Sequence, residues 1–214
     1  MSMKPNEREY RDFTLAVVEM DGKEEGQEEQ KIVRGYASTF NEPYTLYEDR
    51  DVVIQEQVAP DAFASADMSD IIMQFDHRGK VFARVSNNTL SVAPDDHGLS
   101  IEANLGGTEI GRQLYEEIKG GYITKMSYGY TVADDGAIWD ERKLDDGRSL
   151  ELRTITRIGK VYDVSAVSLP ANDGTSISVR NLSDGVIEQI KAERLKALDL
   201  ERRKLKIKMR LGGF

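Results

Sequence analysis

Cysteine is absent from all 214 residues, which excludes disulfides, thiolate zinc sites and cysteine nucleophiles and gives no sign of an oxidising compartment. Only two histidines are present, too few for a multi-histidine metal centre. No apolar run approaches the roughly 18 residues of a membrane span. The opening stretch MSMKPNEREYRDF lacks the apolar region of a signal peptide. We therefore expect a chain that stays in the cytoplasm where it is made, with no metal and no membrane contact. Positive charge is also in deficit: 29 Lys and Arg stand against 38 Asp and Glu, a net charge of -9. That balance disfavours nucleic acid as a partner, because neutralising phosphates takes clustered cations.

What is present is a composition that folds. The chain is 39% hydrophobic and 31% charged, and its length suits one domain with an appendage. The charge is uneven: Leu182 to Arg210 carries nine basic and five acidic residues, so an acidic body of -13 bears a +4 tail. The body at 1–181 and the tail at 182–214 are read as separate units. In the tail the apolar residues fall at mostly three- and four-residue spacing (Val186, Ile187, Ile190, Leu195, Leu198), which predicts a helix.

The body reads as short strands. YRDFTLAVV and KIVRGYASTF flank an acidic spacer, DGKEEGQEEQ, expected to be a hairpin loop. A strand over Val52–Gln57 is followed by a break at Pro60 and a helical turn near Ala62–Ala66. IIMQFDH, NTLSVAPDD and LSIEANL follow, then a helix capped by Thr108 and ended by Gly120 and Gly121. ITKMSYGYTV, SLELRTITRI and KVYDVSAVSL complete the set, with Asp134 to Gly147 expected as an irregular excursion. The rhythm predicts a mainly β, α+β fold built on a small antiparallel sheet that curls or closes into a barrel, plus the C-terminal helix.

Candidate chemistry starts from the scarcest base. His77 ends an apolar strand beside Asp76 and Arg78, whereas His97 lies in the turn PDDHG and should be solvated. Alternation in ITKMSYGYTV places Ser127 and Gly129 on the less apolar face, which leaves space beside the Ser127 hydroxyl. Asp163, between Tyr162 and Val164, is an expected buried charge that needs compensation, with His77, Arg153 and Arg157 as candidates. The order His77, Ser127, Asp163 fits none of the three familiar serine-triad orders, and no G-x-S-x-G elbow is present.

Six blocks, in order, resemble the prohead (capsid maturation) serine proteases of tailed phages, the HK97-type family. They are VRGYASTFNEP, VAPDAF, QFDHR, DDHGLSIEANL, KMSYGY and VYDVSAVSLPAN, within residues 9 to 180. The resemblance implies Ser127 as nucleophile, His77 as general base and Asp163 as third member, where the family usually has Glu. It further implies a fold like that of the herpesvirus assemblin proteases, and no cofactor. The expected activity is a serine endopeptidase that cleaves the scaffold segment of the major capsid protein, and itself, inside the immature capsid in the host cytoplasm. Arg153 and Arg157 are candidate oxyanion donors beside backbone N–H groups. The tail reads as a docking element or a removable propeptide, and a homo-oligomer stays open. The competing expectation is a non-catalytic capsid-assembly or scaffold β-barrel protein. The two differ in whether Ser127 and His77 meet within hydrogen-bond reach.

Overall fold

The computed structural model describes residues 8–14, 31–168 and 192–207, the last without residues 197, 201 and 205. Among the described residues up to 168, twelve strands and one α-helix follow the chain: β1 (Glu9–Thr14), β2 (Ile32–Thr39), β3 (Tyr44–Glu48), β4 (Val52–Val58), β5 (Ile72–Phe75), β6 (Arg78–Arg84), β7 (Leu90–Pro94), β8 (Gly98–Asn104), α1 (Glu109–Lys119), β9 (Lys125–Val132), β10 (Ala137–Lys143), β11 (Ser149–Ile155) and β12 (Ile158–Val167). Helical backbone returns at 192–207. The acidic spacer and the boundary expected at 181/182 lie outside the described residues.

The strands form three sheets, in the orders β1-β9-β12-β5-β6, β10-β11-β4-β3 and β2-β8-β7. This corrects the expected closed antiparallel barrel. The sheets do not close on themselves, and two of the nine strand pairs, β4/β11 and β5/β12, are parallel. Short alternating strands reveal that a sheet exists but not the direction of pairing, and parallel neighbours arise through long crossovers. The expected irregular excursion is also corrected: Ala137–Lys143 is the edge strand β10, exposed along most of its length and charged, so apolar alternation could not reveal it.

β9 and β12 run side by side at the centre of the first sheet and are buried on both faces. Met126, Tyr128 and Tyr130 of β9 enter the main core, where Tyr128 stacks on Tyr130 at 4.6 Å between ring centres. The less apolar face, which carries Ser127 and Gly129, is covered as well. Helix α1 begins as its sequence dictates, with Thr108 Oγ1 accepting from Gly111 N at 3.0 Å. It ends at Gly120 and Gly121, the latter at φ +73°, where a side chain would be strained. Leu114 and Ile118 bury its inner face.

One ionic cluster ties these layers together. Arg153 of β11 is 1% exposed and stands in the ladder between Glu56 of β4 and Trp139 of β10. Its Nη1 donates to Glu56 Oε2 at 2.6 Å and Glu9 Oε2 at 2.8 Å. Nη2 donates to Glu9 Oε1 at 3.1 Å and Glu193 Oε2 at 2.8 Å, and Nε to Glu193 Oε1 at 3.3 Å. Burial alone would lower the Arg153 pKa, but the Glu9, Glu56 and Glu193 charges more than offset it and hold the group far above its usual value. Tyr130 and Tyr44 also donate to Glu56, and Trp139 donates to Glu193. The cluster thus joins β1, β4, β11 and the C-terminal helix. Removing one partner from such a cluster strands buried charge, so Arg153→Ala is expected to cost roughly 3–5 kcal/mol of unfolding free energy in urea titration. A loss below about 1 kcal/mol would show that the cluster holds nothing together.

Candidate active site

Ser127 stands opposite Ser165 across the β9/β12 ladder, and Asp163 stands opposite Gly129. Cross-strand partners share a face, so Ser127, Gly129, Asp163 and Ser165 make a square on one side of the sheet. Gly129 puts no side chain into the corner facing Asp163. Asp163 also pairs with Ile72 of β5, which runs parallel to β12 and delivers the next residues of the chain to the same place.

Those residues form the β5–β6 hairpin. Phe75 and Arg78 pair, and the two residues between them, Asp76 and His77, have φ of 47° and 56°. Positive φ at both central positions is the requirement of a tight type I′ turn, which Asp and His tolerate better than most residues. The turn is fastened to the end of β12. Asp76 N donates to Ala166 O at 3.0 Å, while the Asp76 carboxylate accepts from Ser168 N at 2.9 Å and from Ser168 Oγ at 2.9 and 3.1 Å. The tip that carries His77 is thereby pinned to the strand that carries Asp163.

The three side chains meet in line. His77 Nδ1 lies 2.5 Å from Asp163 Oδ1, and His77 Nε2 lies 2.6 Å from Ser127 Oγ. A carboxylate only accepts, so Nδ1 carries a proton, and in the neutral imidazole Nε2 is then the acceptor for the Ser127 hydroxyl. Asp163 is 2% exposed through its side chain and the His77 side chain 17%. Ser165 Oγ donates to Asp163 Oδ1 at 2.9 Å, and Arg8 Nη1 lies 3.9 Å from Asp163 Oδ2 with its guanidinium 3.8 Å above the Tyr162 ring. Aspartate reaches the imidazole directly although its side chain is one methylene shorter than glutamate.

The remaining candidates are elsewhere. Arg153 commits all five N–H donors to Glu9, Glu56 and Glu193, so none is left for an oxyanion, and that expectation is corrected. Arg157 is exposed, and its described bond is to Asp134 O. His97 sits exposed in the β7–β8 turn, edge-on to Tyr36 with ring centres 4.6 Å apart. Sequence reasoning missed Ser165, Asp76 and Ser168. The signal available for Ser165 was its place two residues beyond Asp163 on one strand face; nothing in the sequence announced that Asp76 would bond to Ser168. Among the described residues no group of three or more His, Asp or Glu could hold a metal ion.

A hydroxyl bonded to a neutral imidazole whose other nitrogen is held by a buried carboxylate is the arrangement with which serine hydrolases make and break an acyl-enzyme. The comparisons narrow that class. The family model described as caudovirus prohead serine protease matches residues 18–190, and the chain belongs to that family. It is 28% identical over 177 residues to the prohead protease of Enterobacteria phage HK97, covering 81% of this chain and 70% of that one. The structure of the bacteriophage T4 capsid assembly protease aligns with a TM-score of 0.41 and 9% identity, over 76% of this chain and 98% of that one. The protein is a serine peptidase of the phage capsid-maturation type.

Asp163→Asn is expected to lower turnover on the order of 10⁴-fold, because an amide no longer fixes the productive imidazole tautomer. Ser165→Ala removes one neutral donor from the same carboxylate and should cost about tenfold or less. Steady-state rates of both variants check the ranking; equal losses would contradict it.

Proposed function

We propose that this chain is the endopeptidase that cleaves the scaffold segment of the major capsid protein inside the prohead, and itself, with Ser127 as nucleophile. The observation that carries the reading is the continuous Ser127–His77–Asp163 line, with 2.6 and 2.5 Å contacts, in a member of the prohead protease family. Ser127 Oγ attacks the peptide carbonyl as its proton passes to His77 Nε2. The tetrahedral adduct collapses, and the same proton goes from Nε2 to the leaving amine. Water then attacks the acyl-enzyme, giving its proton to Nε2, and Ser127 regains a hydrogen as the acid product leaves. Asp163 keeps the Nδ1 proton in place and offsets the imidazolium charge in both half-reactions. Ser127 has no solvent exposure in the resting chain, so acylation first requires the atoms over it to move aside.

Confinement with its substrates fits a peptidase of modest affinity, since a small volume raises effective concentration. The C-terminal helix is proposed to bring the enzyme there, or to be trimmed as a propeptide. Its early turns are anchored, through Glu193 to Arg153 and through Arg194 to Glu141 at 3.0 Å. Beyond them Lys196, Arg202, Arg203, Lys204 and Lys206 are exposed and suit an acidic partner.

Co-expression of wild type or Ser127→Ala with the cognate capsid protein, followed by intact mass measurement, tests the activity. Discrete capsid-protein fragments should appear with the wild type alone; identical masses would remove Ser127 as nucleophile. Changing Arg202, Arg203, Lys204 and Lys206 to Gln together should lower the number of enzyme copies per prohead, counted by quantitative mass spectrometry. Unchanged incorporation would end the docking role of the helix.

A further inference from the structure

The β5–β6 hairpin that presents His77 also forms one wall of a groove whose other wall is α1. Its volume is about 360 Å³. Phe75 and Phe82 face it from the hairpin, and Ile110 and Leu114 from the helix. Leu114 is buried; the other three are only partly so, and an apolar floor left open to water is stabilised by whatever covers it.

The rim has its own character. Arg78 and Lys80 line the hairpin side, and neither has a carboxylate partner among the described residues; Arg78 donates only to the Asp76 carbonyl, at 3.4 Å. The two cations stand side by side on one edge of an apolar groove, in a chain with nine more acidic than basic residues. Several other cations of the body do have carboxylate partners: Arg84, on the same strand, binds Asp70, Arg34 binds Glu102 at 2.5 Å, and Lys160 binds Asp67 at 2.5 Å. Across the groove, α1 contributes Gln113 and Glu117. A ligand that satisfies this layout has a large apolar side chain for the floor and a carboxylate on the hairpin side.

The groove and the site share the β5–β6 hairpin. Phe75 and Arg78 are the residues that bracket the Asp76–His77 turn, so a peptide whose scissile bond lies against His77 leaves the imidazole beside them. We propose that the groove between β6 and α1 is a substrate subsite, which seats a large apolar side chain near the scissile bond while Arg78 and Lys80 select an adjacent acidic residue. This rests on the reading of Ser127 and His77 as the peptidase site.

The test uses the full-length protein, a peptide mixture of random sequence, and mass spectrometry to locate every cut, with Ser127→Ala as the blank. Wild type should cut near a large apolar side chain with Asp or Glu within a few positions. Arg78→Glu combined with Lys80→Glu should lower kcat/KM for acidic peptides, relative to matched neutral ones, by more than about tenfold, since like charges then meet. Ile110→Trp, which fills the groove, should erase the preference for large over small apolar side chains, expected at about 10- to 200-fold. A merely destabilised enzyme would lose both members of each pair equally. Serine-dependent cuts whose preferences neither variant alters would overturn the subsite. If the variants instead lost a dimer that the wild type forms, with preferences unchanged, the groove would belong to a second copy of the chain. Absence of any cut that Ser127→Ala lacks would sink the peptidase reading itself, a different and separable failure.

Discussion

A single buried guanidinium holds the layers of this protein in register. Arg153 donates five hydrogen bonds to three glutamates that come from the first strand, the fourth strand and the C-terminal helix. Isolated, any one of those charges would be costly to bury; assembled, each compensates another. The consequence for the site is indirect but specific. Glu9 belongs to β1, which lies along β9, and Glu9 stands opposite Tyr130, three residues from Ser127. The strand that bears the serine is therefore flanked by β12 on one side and by a strand anchored through Arg153 on the other. The C-terminal helix, through Glu193, is part of the same clamp, and its first turns belong to the folded body as much as to the basic tail.

Within that frame, the site is made by two ladder registers and one turn. The β9/β12 pairing sets Ser127 and Asp163 on one face, two residues out of step, with Gly129 leaving the intervening corner open. The β5/β12 pairing aligns the hairpin tip with the end of β12, and Asp76 fixes it there. A slip of either register by one residue would send the side chains to the opposite face and dissolve the line of contacts. Both strands are central and buried on both faces, which is where register is most strongly specified.

Much of this was legible in the residues. The strands that build the site alternate or run apolar, Thr108 caps a helix as its hydroxyl predicts, and the blocks that carry His77, Ser127 and Asp163 resemble the family to which the chain belongs. What could not be read has physical reasons. β3, β6 and β10 are edge strands, and β6 and β10 are mostly exposed, so they lack the apolar signature that pattern reading depends on. Parallel pairing depends on how crossovers pack and leaves no local mark. Arg153 looked like a free cation near a developing charge because its three glutamates lie at distant points of the sequence; only the fold brings them together. Asp76 was hidden for the same reason, with its Ser168 partner 92 positions away.

These separations bear on when activity can begin. His77 and Asp163 are 86 residues apart in the chain, and Arg153 and Glu9 are 144 apart. Contacts this remote form late, because the entropy of closing the intervening loops is lost before any contact repays it. During synthesis the serine and the histidine emerge well before β12, the strand that sets both of them in place. A growing chain therefore has Ser127 and His77 but not the strand that joins them to Asp163, and the line of contacts stays unmade until β12 has left the ribosome. For a serine peptidase, the topology itself acts as a timer.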